Sequence, residues 1–221
     1  MARPVAWSYS ALSMFENCPR KYHAVKIAKT FSDANKFNMR GDDEHKCFDY
    51  YLKGRSPLPA TLQKFQPMLD KFRSAKGELY SEFQMALTEA YKPCSFKDWD
   101  NAWVRSVADL LIVIGDTAVM TDWKTGKVKD EPDQMQLAAG LIFQHFPAVN
   151  TVRSAYMFIH HNATVPYTFT RQQVPDIWGN FLPRVKRLTL AVKTDEWPAT
   201  PNPLCRFCPV KTCPHNTNPE S

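Results

Sequence analysis

The sequence predicts a mixed α/β domain, a small central sheet flanked by helices and closed by a cysteine-bearing tail. Three observations carry this. An apolar hairpin pattern, Asp109-Leu-Leu-Ile-Val-Ile-Gly115-Asp116-Thr-Ala-Val-Met-Thr-Asp122, stands mid-chain. Segments with helical apolar spacing precede and follow it. Near the end, Cys205-Arg-Phe-Cys208-Pro-Val-Lys-Thr-Cys213 has a C-x-x-C core, a spacing that reads as a metal or redox site.

In order, Ser10 to about Lys26 reads as a first helix with Ser8 or Ser10 as its cap. Phe37–Leu52 and Pro59–Lys76 read as two more. Strands follow at Leu79–Leu87, where apolar and polar residues alternate, and at the apolar-rich Trp103–Ile114 and Ala118–Lys124. Asp133–Phe146 returns to helical spacing, Val152–Ile159 and Tyr167–Thr170 to strand patterning, and Val174–Val192 closes with a last helix. The tail Pro198-Ala-Thr-Pro-Asn-Pro-Leu-Cys205 is too rich in proline for a helix and carries little apolar surface. The chain is therefore expected to be one domain, 1–221. Residues 7–78 form a helical N-terminal part, 79–193 the core, and 194–221 a cysteine-rich tail packed on the first helix.

Composition bounds the partners. At 221 residues with 44% hydrophobic side chains, the chain can bury a real core and is not disordered. No apolar run approaches the length that spans a bilayer. The start, Met-Ala-Arg-Pro-Val-Ala-Trp, lacks the apolar segment of a secretion signal, which implies an intracellular, cytoplasmic protein. A formal charge of +6 and a pI of about 9.0 favour a polyanionic partner.

Gly115-Asp116 is a two-residue turn signal. Pairing outward from it, Ile114 with Thr117 and so on, sets Asp109 opposite Asp122. Directly opposed side chains have Cβ atoms roughly 5 Å apart. Two carboxylates there repel unless a cation lies between them, so the pattern suggests a hard divalent ion. Alternation points Lys124 to the same face as Asp122. Asp109 also lies inside the apolar run Val-Ala-Asp-Leu-Leu-Ile-Val-Ile, where an idle charge is costly.

Asp109 followed by Asp122-Trp123-Lys124-Thr-Gly resembles the PD-(D/E)XK nucleases, and in particular their RecB-like branch, which includes AddB and the CRISPR-associated RecB-like exonucleases. The resemblance implies a restriction-endonuclease-like core and further residues. The branch's Gly-x-x-x-His signature is matched by Gly41-Asp-Asp-Glu-His45. It would make His45 a metal ligand beside Asp109, Asp122 and the backbone carbonyl of Trp123. The glutamine helix is matched by Gln136-Leu137, with Gly140 where the branch often has tyrosine. The family's first-strand glutamate is matched by Glu78 or Glu82, Glu82 lying nearer the centre of the apolar stretch. An iron–sulfur subset has one upstream cysteine and three near the C-terminus. Here these are Cys18, in Ser8-Tyr-Ser10-x-Leu12-x-x-Phe15-Glu-x-Cys18-Pro-Arg20-Lys-Tyr22, and Cys205, Cys208 and Cys213, with a final spacing one residue shorter than usual. The resemblance runs from about Trp7 to Cys213.

Four thiolates can hold zinc or a [4Fe–4S] cluster; the resemblance implies the cluster, with Zn²⁺ as the alternative. Either would tie the first helix to the tail. Cys47 and Cys94 have no partner in spacing, and His215 is a substitute ligand. The chemistry implied is metal-dependent hydrolysis of a DNA phosphodiester by one or two Mg²⁺ or Mn²⁺ ions, with Lys124 as the catalytic amine. The substrate would be single strands or duplex ends, the setting recombination, repair or defence. Arg20, Lys21 and Lys127 are candidate phosphate contacts, together with Lys129, and Tyr22 and Tyr156 candidate base-stacking rings. Two other readings stand beside this exonuclease: a catalytically silent DNA-binding module stapled by a metal–cysteine site, and a zinc-stapled structural protein.

Overall fold

The computed structural model describes residues 6–32 and 36–218, without the side chains of residues 36–40 and 42. The first five residues of the N-terminal start on which the intracellular expectation rests lie outside the described residues. A five-stranded sheet forms the centre: β1 (Glu78–Leu87), β2 (Val104–Ile114), β3 (Thr117–Lys124), β4 (Thr151–Phe158) and β5 (Ala163–Thr170) lie side by side in that order. All neighbours are antiparallel except β3 and β4, which run parallel. Parallel neighbours need a crossover, and α5 (Pro132–His145) supplies it.

The hairpin forms with the expected register. Ile114 pairs with Thr117 and Leu110 with Thr121, and Gly115 takes the left-handed conformation (φ 58°) that a tight turn requires. Side chains of β2 alternate between two cores. Leu111 enters one with α5, α6 (Val174–Thr194) and α1 (Tyr9–Asn17); Leu110 and Ile112 enter the other, with Phe48 of α3 (Lys36–Leu52) and Leu69 of α4 (Gln66–Arg73). The sheet is thus sandwiched between helices, as expected. Among the described residues, no helix is long and apolar enough to cross a membrane.

Prolines account for most boundary corrections. The first helix does not run unbroken to Lys26. It ends at Asn17, Cys18 adopts an extended conformation (φ −165°, ψ 106°), and α2 (Pro19–Tyr22) restarts at Pro19 before a π-helical turn, His23–Ile27. A residue preceding proline is pushed out of the helical region. Ser8 is the cap, its Oγ accepting from the Ala11 N–H at 3.3 Å. The predicted Pro59–Lys76 helix divides into a 3-10 segment, Ala60–Phe65, and α4, which carries Pro67 in its first turn, where the missing N–H costs nothing. β5 extends back through Pro166, tolerated because β5 is an edge strand.

Candidate active site

Three adjacent strands bring their polar residues to one level of the sheet. On β1, Glu82 has φ 52°, and the β1–β2 ladder passes from Ser81↔Leu110 to Phe83↔Ala108 without pairing Glu82 to Asp109. On the other side of β2 the β2–β3 ladder ends at Leu110↔Thr121, and the carboxylate of Asp109 takes the next backbone donor, the N–H of Trp123, at 2.8 Å from Oδ2. This bond holds Asp109 against the segment that carries Asp122 and Lys124.

Above this level runs α3. Its Gly41 allows a close approach to the strand end: a Cβ there would lie 3.1 Å from Thr125 Oγ1. One turn further on, His45 Nδ1 comes 3.4 Å from Asp109 Oδ2. His45, Glu82 and Asp109 each offer a ligand atom, and these atoms lie within 4.8 Å of one another. The donor set, two carboxylates and one imidazole, suits Mg²⁺ or, with the nitrogen, Mn²⁺.

Asp122 forms a second, contiguous group. Its Oδ2 is 2.8 Å from Lys124 Nζ, and its Oδ1 accepts from Gln134 Nε2 at 2.7 Å. Lys124 Nζ also donates to Gln134 Oε1 at 3.2 Å. Tyr156 closes the group: its hydroxyl donates to the Glu131 carbonyl at 2.8 Å and lies 3.3 Å from Gln134 Oε1, and its ring centroid is 5.0 Å from Lys124 Nζ.

The electrostatics match a site short of positive charge. Burial, then the charge of Asp109, lifts Asp122 to about 6. The same two causes in the same order lift Glu82 to about 7. Burial pushes His45 down, but its hydrogen bond to Asp109 and the surrounding carboxylates outweigh that, so its pKa is raised. Carboxylates raised by burial and by a neighbouring negative charge are what a bound cation would relieve.

The structure brings Asp109, Asp122, Lys124, His45 and Glu82 together, but not every sequence candidate joins them. Gln136 is turned away: its Oε1 accepts from Asn180 Nδ2 at 2.7 Å, and Gln134 stands at the Asp122–Lys124 pair instead. Gly140 sits where α5 meets α6; a Cβ there would lie 3.1 Å from Ile177 Cγ2 and 3.4 Å from Trp178 Cζ2, so no tyrosine fits. The ring of Trp123 is buried against Phe48 and Phe72. Tyr22, stacked on Trp197, and Tyr156 are both 1% exposed, so neither ring is open to a base. Arg20 and Lys21 border a cavity described next, and Lys127 and Lys129 line a smaller hollow of about 380 Å³ beside Lys124. Glu78 lies at the exposed start of β1 and accepts a hydrogen bond from Tyr80.

Cys18, Cys205, Cys208 and Cys213 border one cavity of about 550 Å³ between α1, α2 and the tail. None of the four is joined in a disulfide. Backbone donors already point at two of the sulfurs: Thr200 N–H to Cys18 Sγ at 3.5 Å, and Asn202 N–H to Cys205 Sγ at 3.3 Å. Such donors stabilise sulfur that carries negative charge; the four cysteines share the cavity, but among the described residues no three of them bring their sulfurs within 4.8 Å of one another. His215 borders the same cavity, whereas Cys47 packs at the edge of the α3–α4 core and Cys94 follows β1.

A sequence profile described as the PD-(D/E)XK nuclease superfamily matches residues 6–214. The chain belongs to this superfamily. Two solved structures share the fold. One, from Eubacterium rectale and provisionally named an exonuclease, aligns with a TM-score of 0.53 and 13% identity, over 93% of this chain and 87% of its own. The other, SSO0001, gives 0.52 and 13%, over 98% and 89%. A search of curated proteins returned no match.

Proposed function

We propose that this superfamily member is a divalent-metal-dependent deoxyribonuclease of the RecB-like exonuclease type, acting on single strands or duplex ends. The observation that carries the reading is the convergence of His45, Glu82 and Asp109 beside the Asp122–Lys124–Gln134 group. His45, Glu82 and Asp109 would hold the ion, with Asp122 at its border. Bound there, Mg²⁺ or Mn²⁺ would polarise the phosphodiester and lower the pKa of the attacking water.

The protein's own residues do the rest. Lys124 places an ammonium where negative charge develops on the phosphoryl oxygens. Asp122 and Gln134 hold that ammonium in place, and the buried Tyr156 hydroxyl holds Gln134. Asp109 fixes the β3 end through the Trp123 N–H, so the same carboxylate both shapes the backbone and offers a ligand oxygen.

The cysteine cavity is read as a [4Fe–4S] clasp, with zinc as the alternative, tying the first helices to the tail. Its role is structural, because closing so long a loop requires bonding strong enough to offset the entropy lost. A part in recombination, repair or defence inside the cell follows from this reading.

The deciding experiment incubates the purified protein with end-labelled DNA and Mn²⁺ beside Lys124→Ala. Cleavage by the wild type and a fall of about 10²-fold or more in the variant support the reading. No cleavage by the wild type, or equal cleavage by both, overturns it. Products resolved by length give the polarity, and visible absorbance with metal analysis of an anaerobic preparation separates iron from zinc.

A further inference from the structure

His45 reaches Asp109 from α3, and apolar packing alone does not fix the direction in which α3 points it. Phe48, Tyr51 and Leu52 place the C-terminal half of the helix in one core with Leu62, Phe65 and Leu69. Such packing is non-directional. Side-chain tips lie about 5 Å from a helix axis, so a rotation of about 20° carries a tip through about 2 Å, the length of a metal–nitrogen bond.

The residue before His45 supplies a direction. Glu44 is buried, at 7% exposure, and its Oε2 accepts from His160 Nε2 at 2.7 Å. Successive helix residues point about 100° apart. Glu44 and His45 therefore anchor α3 along two directions, one to His160 and the other to Asp109. His160 is itself held in place. It stands in the turn after β4, which the His161 N–H closes on the Phe158 carbonyl at 2.9 Å. The neighbouring Ile159 N–H donates to the carbonyl of Lys124 at 3.0 Å, continuing the parallel pairing of Lys124 with Phe158. The His160 ring packs on Phe65, centroids 6.0 Å apart, and Phe65 packs on Phe48 of α3 at 5.5 Å. The Glu44–His160 contact thus runs from the helix of the candidate metal ligand to the strand end of the candidate catalytic amine.

Stability is a poor explanation for such a pair. Its desolvation cost is comparable to the attraction gained, and apolar replacement of both partners is often neutral or stabilising. What a hydrogen bond has and an apolar contact lacks is a required direction. Among the described residues, neither partner belongs to the cluster of His45, Glu82 and Asp109.

We propose that Glu44 and His160 are positioning residues whose hydrogen bond sets the rotation of α3 and so aims the His45 ring at the ion. The inference rests on the metal site of the nuclease reading and extends it to two residues outside the ligand set.

The test is Mn²⁺ titration of the purified protein, with free Mn²⁺ read by electron paramagnetic resonance and each variant held below its thermal midpoint. The deciding variant combines Glu44→Met with His160→Phe, which keeps bulk and apolar contact and removes the directed bond. It is expected to bind Mn²⁺ about ten-fold more weakly, the scale of losing a group that orients a ligand, while its thermal midpoint equals or exceeds that of the wild type. Glu44→Gln, whose amide oxygen accepts the same His160 N–H, is expected to keep most of the affinity. Unchanged Mn²⁺ affinity in the paired variant overturns the proposal, and so does a loss in Glu44→Gln as large as in the paired variant. If the paired variant does not fold, His160→Gln is set against His160→Leu: tighter Mn²⁺ binding by the glutamine, which retains a donor, supports positioning, and equality overturns it. A wild type that binds no Mn²⁺ defeats the metal site and the nuclease reading with it. A wild type that binds Mn²⁺ and cleaves DNA, beside a paired variant that binds equally well, leaves that reading standing and removes only the positioning role.

Discussion

Gln134 donates to Asp122 Oδ1 across 2.7 Å while its own Oε1 accepts from the lysine that Asp122 pairs with. One uncharged side chain thereby fixes the relative position of a carboxylate and an ammonium. Removing it leaves both charges in place but lets them drift. Gln134→Ala is expected to lower kcat about 10- to 100-fold, the scale of a small misplacement of catalytic groups. Gln136→Ala, which loses only a contact to Asn180, should stay within about two-fold. Steady-state cleavage assays of the two variants, side by side, check this; the reverse order would move the supporting role to Gln136.

A second prediction concerns pH. Glu82 is lifted from an ordinary value of 4.5 to about 7 by burial and by Asp109. A raised carboxyl pKa means that between those values the folded, metal-free protein keeps a proton that the unfolded chain has released. Stability therefore falls as pH rises from about 4.5 to 7, the opposite of a salt-bridged acid. Urea unfolding in chelator should show this loss, and Glu82→Gln should flatten it. With metal the sign reverses for binding: affinity for Mn²⁺ should increase as pH passes about 7, with proton release measurable by calorimetry in buffers of different ionisation enthalpy.

Gly140 supplies a packing test. A tyrosine there must displace Ile177 or Trp178, both in the core. Gly140→Tyr is expected to cost more than the about 1–3 kcal/mol of inserting extra methylenes, read as a much lower urea midpoint or loss of the folded protein. A neutral or stabilising result would show that α5 and α6 have room that the structure does not display.

The cysteine site makes a fourth prediction. On the proposed clasp, Cys208→Ser should lose the iron or zinc that the wild type carries, lower the thermal midpoint by about 5 °C or more, and expose the tail beyond residue 194 to limited proteolysis. Cys47→Ser, away from the cavity, should do none of these. Retention of full metal content by Cys208→Ser would remove Cys208 from the ligand set.

What the sequence made legible follows from locality. The Gly115-Asp116 turn and the alternation beside it fix a register, and the register carries Asp109 to the segment of Asp122 and Lys124. Gly41 and His45 were legible as a spacing, although only the structure shows that the glycine clears Thr125. The choice between Gln134 and Gln136 was not legible. Two residues along a helix face nearly opposite ways, and the phase of α5 is set by what it packs on rather than by its own residues. Tyr22 and Tyr156 failed for a related reason: a tyrosine in an amphipathic segment reads the same whether its ring lines the core or the surface. The break at Cys18-Pro19 was available from the proline alone.

Glu82 carries one more implication. A residue with a side chain at φ 52° inside a strand costs about 1–3 kcal/mol, a cost glycine largely escapes. The acid at this position is thus maintained against a standing conformational handicap. Were selection for cleavage relaxed in a descendant lineage, position 82 should be among the first of the cluster to drift, toward glycine or asparagine, and the fold would grow more robust as its chemistry faded.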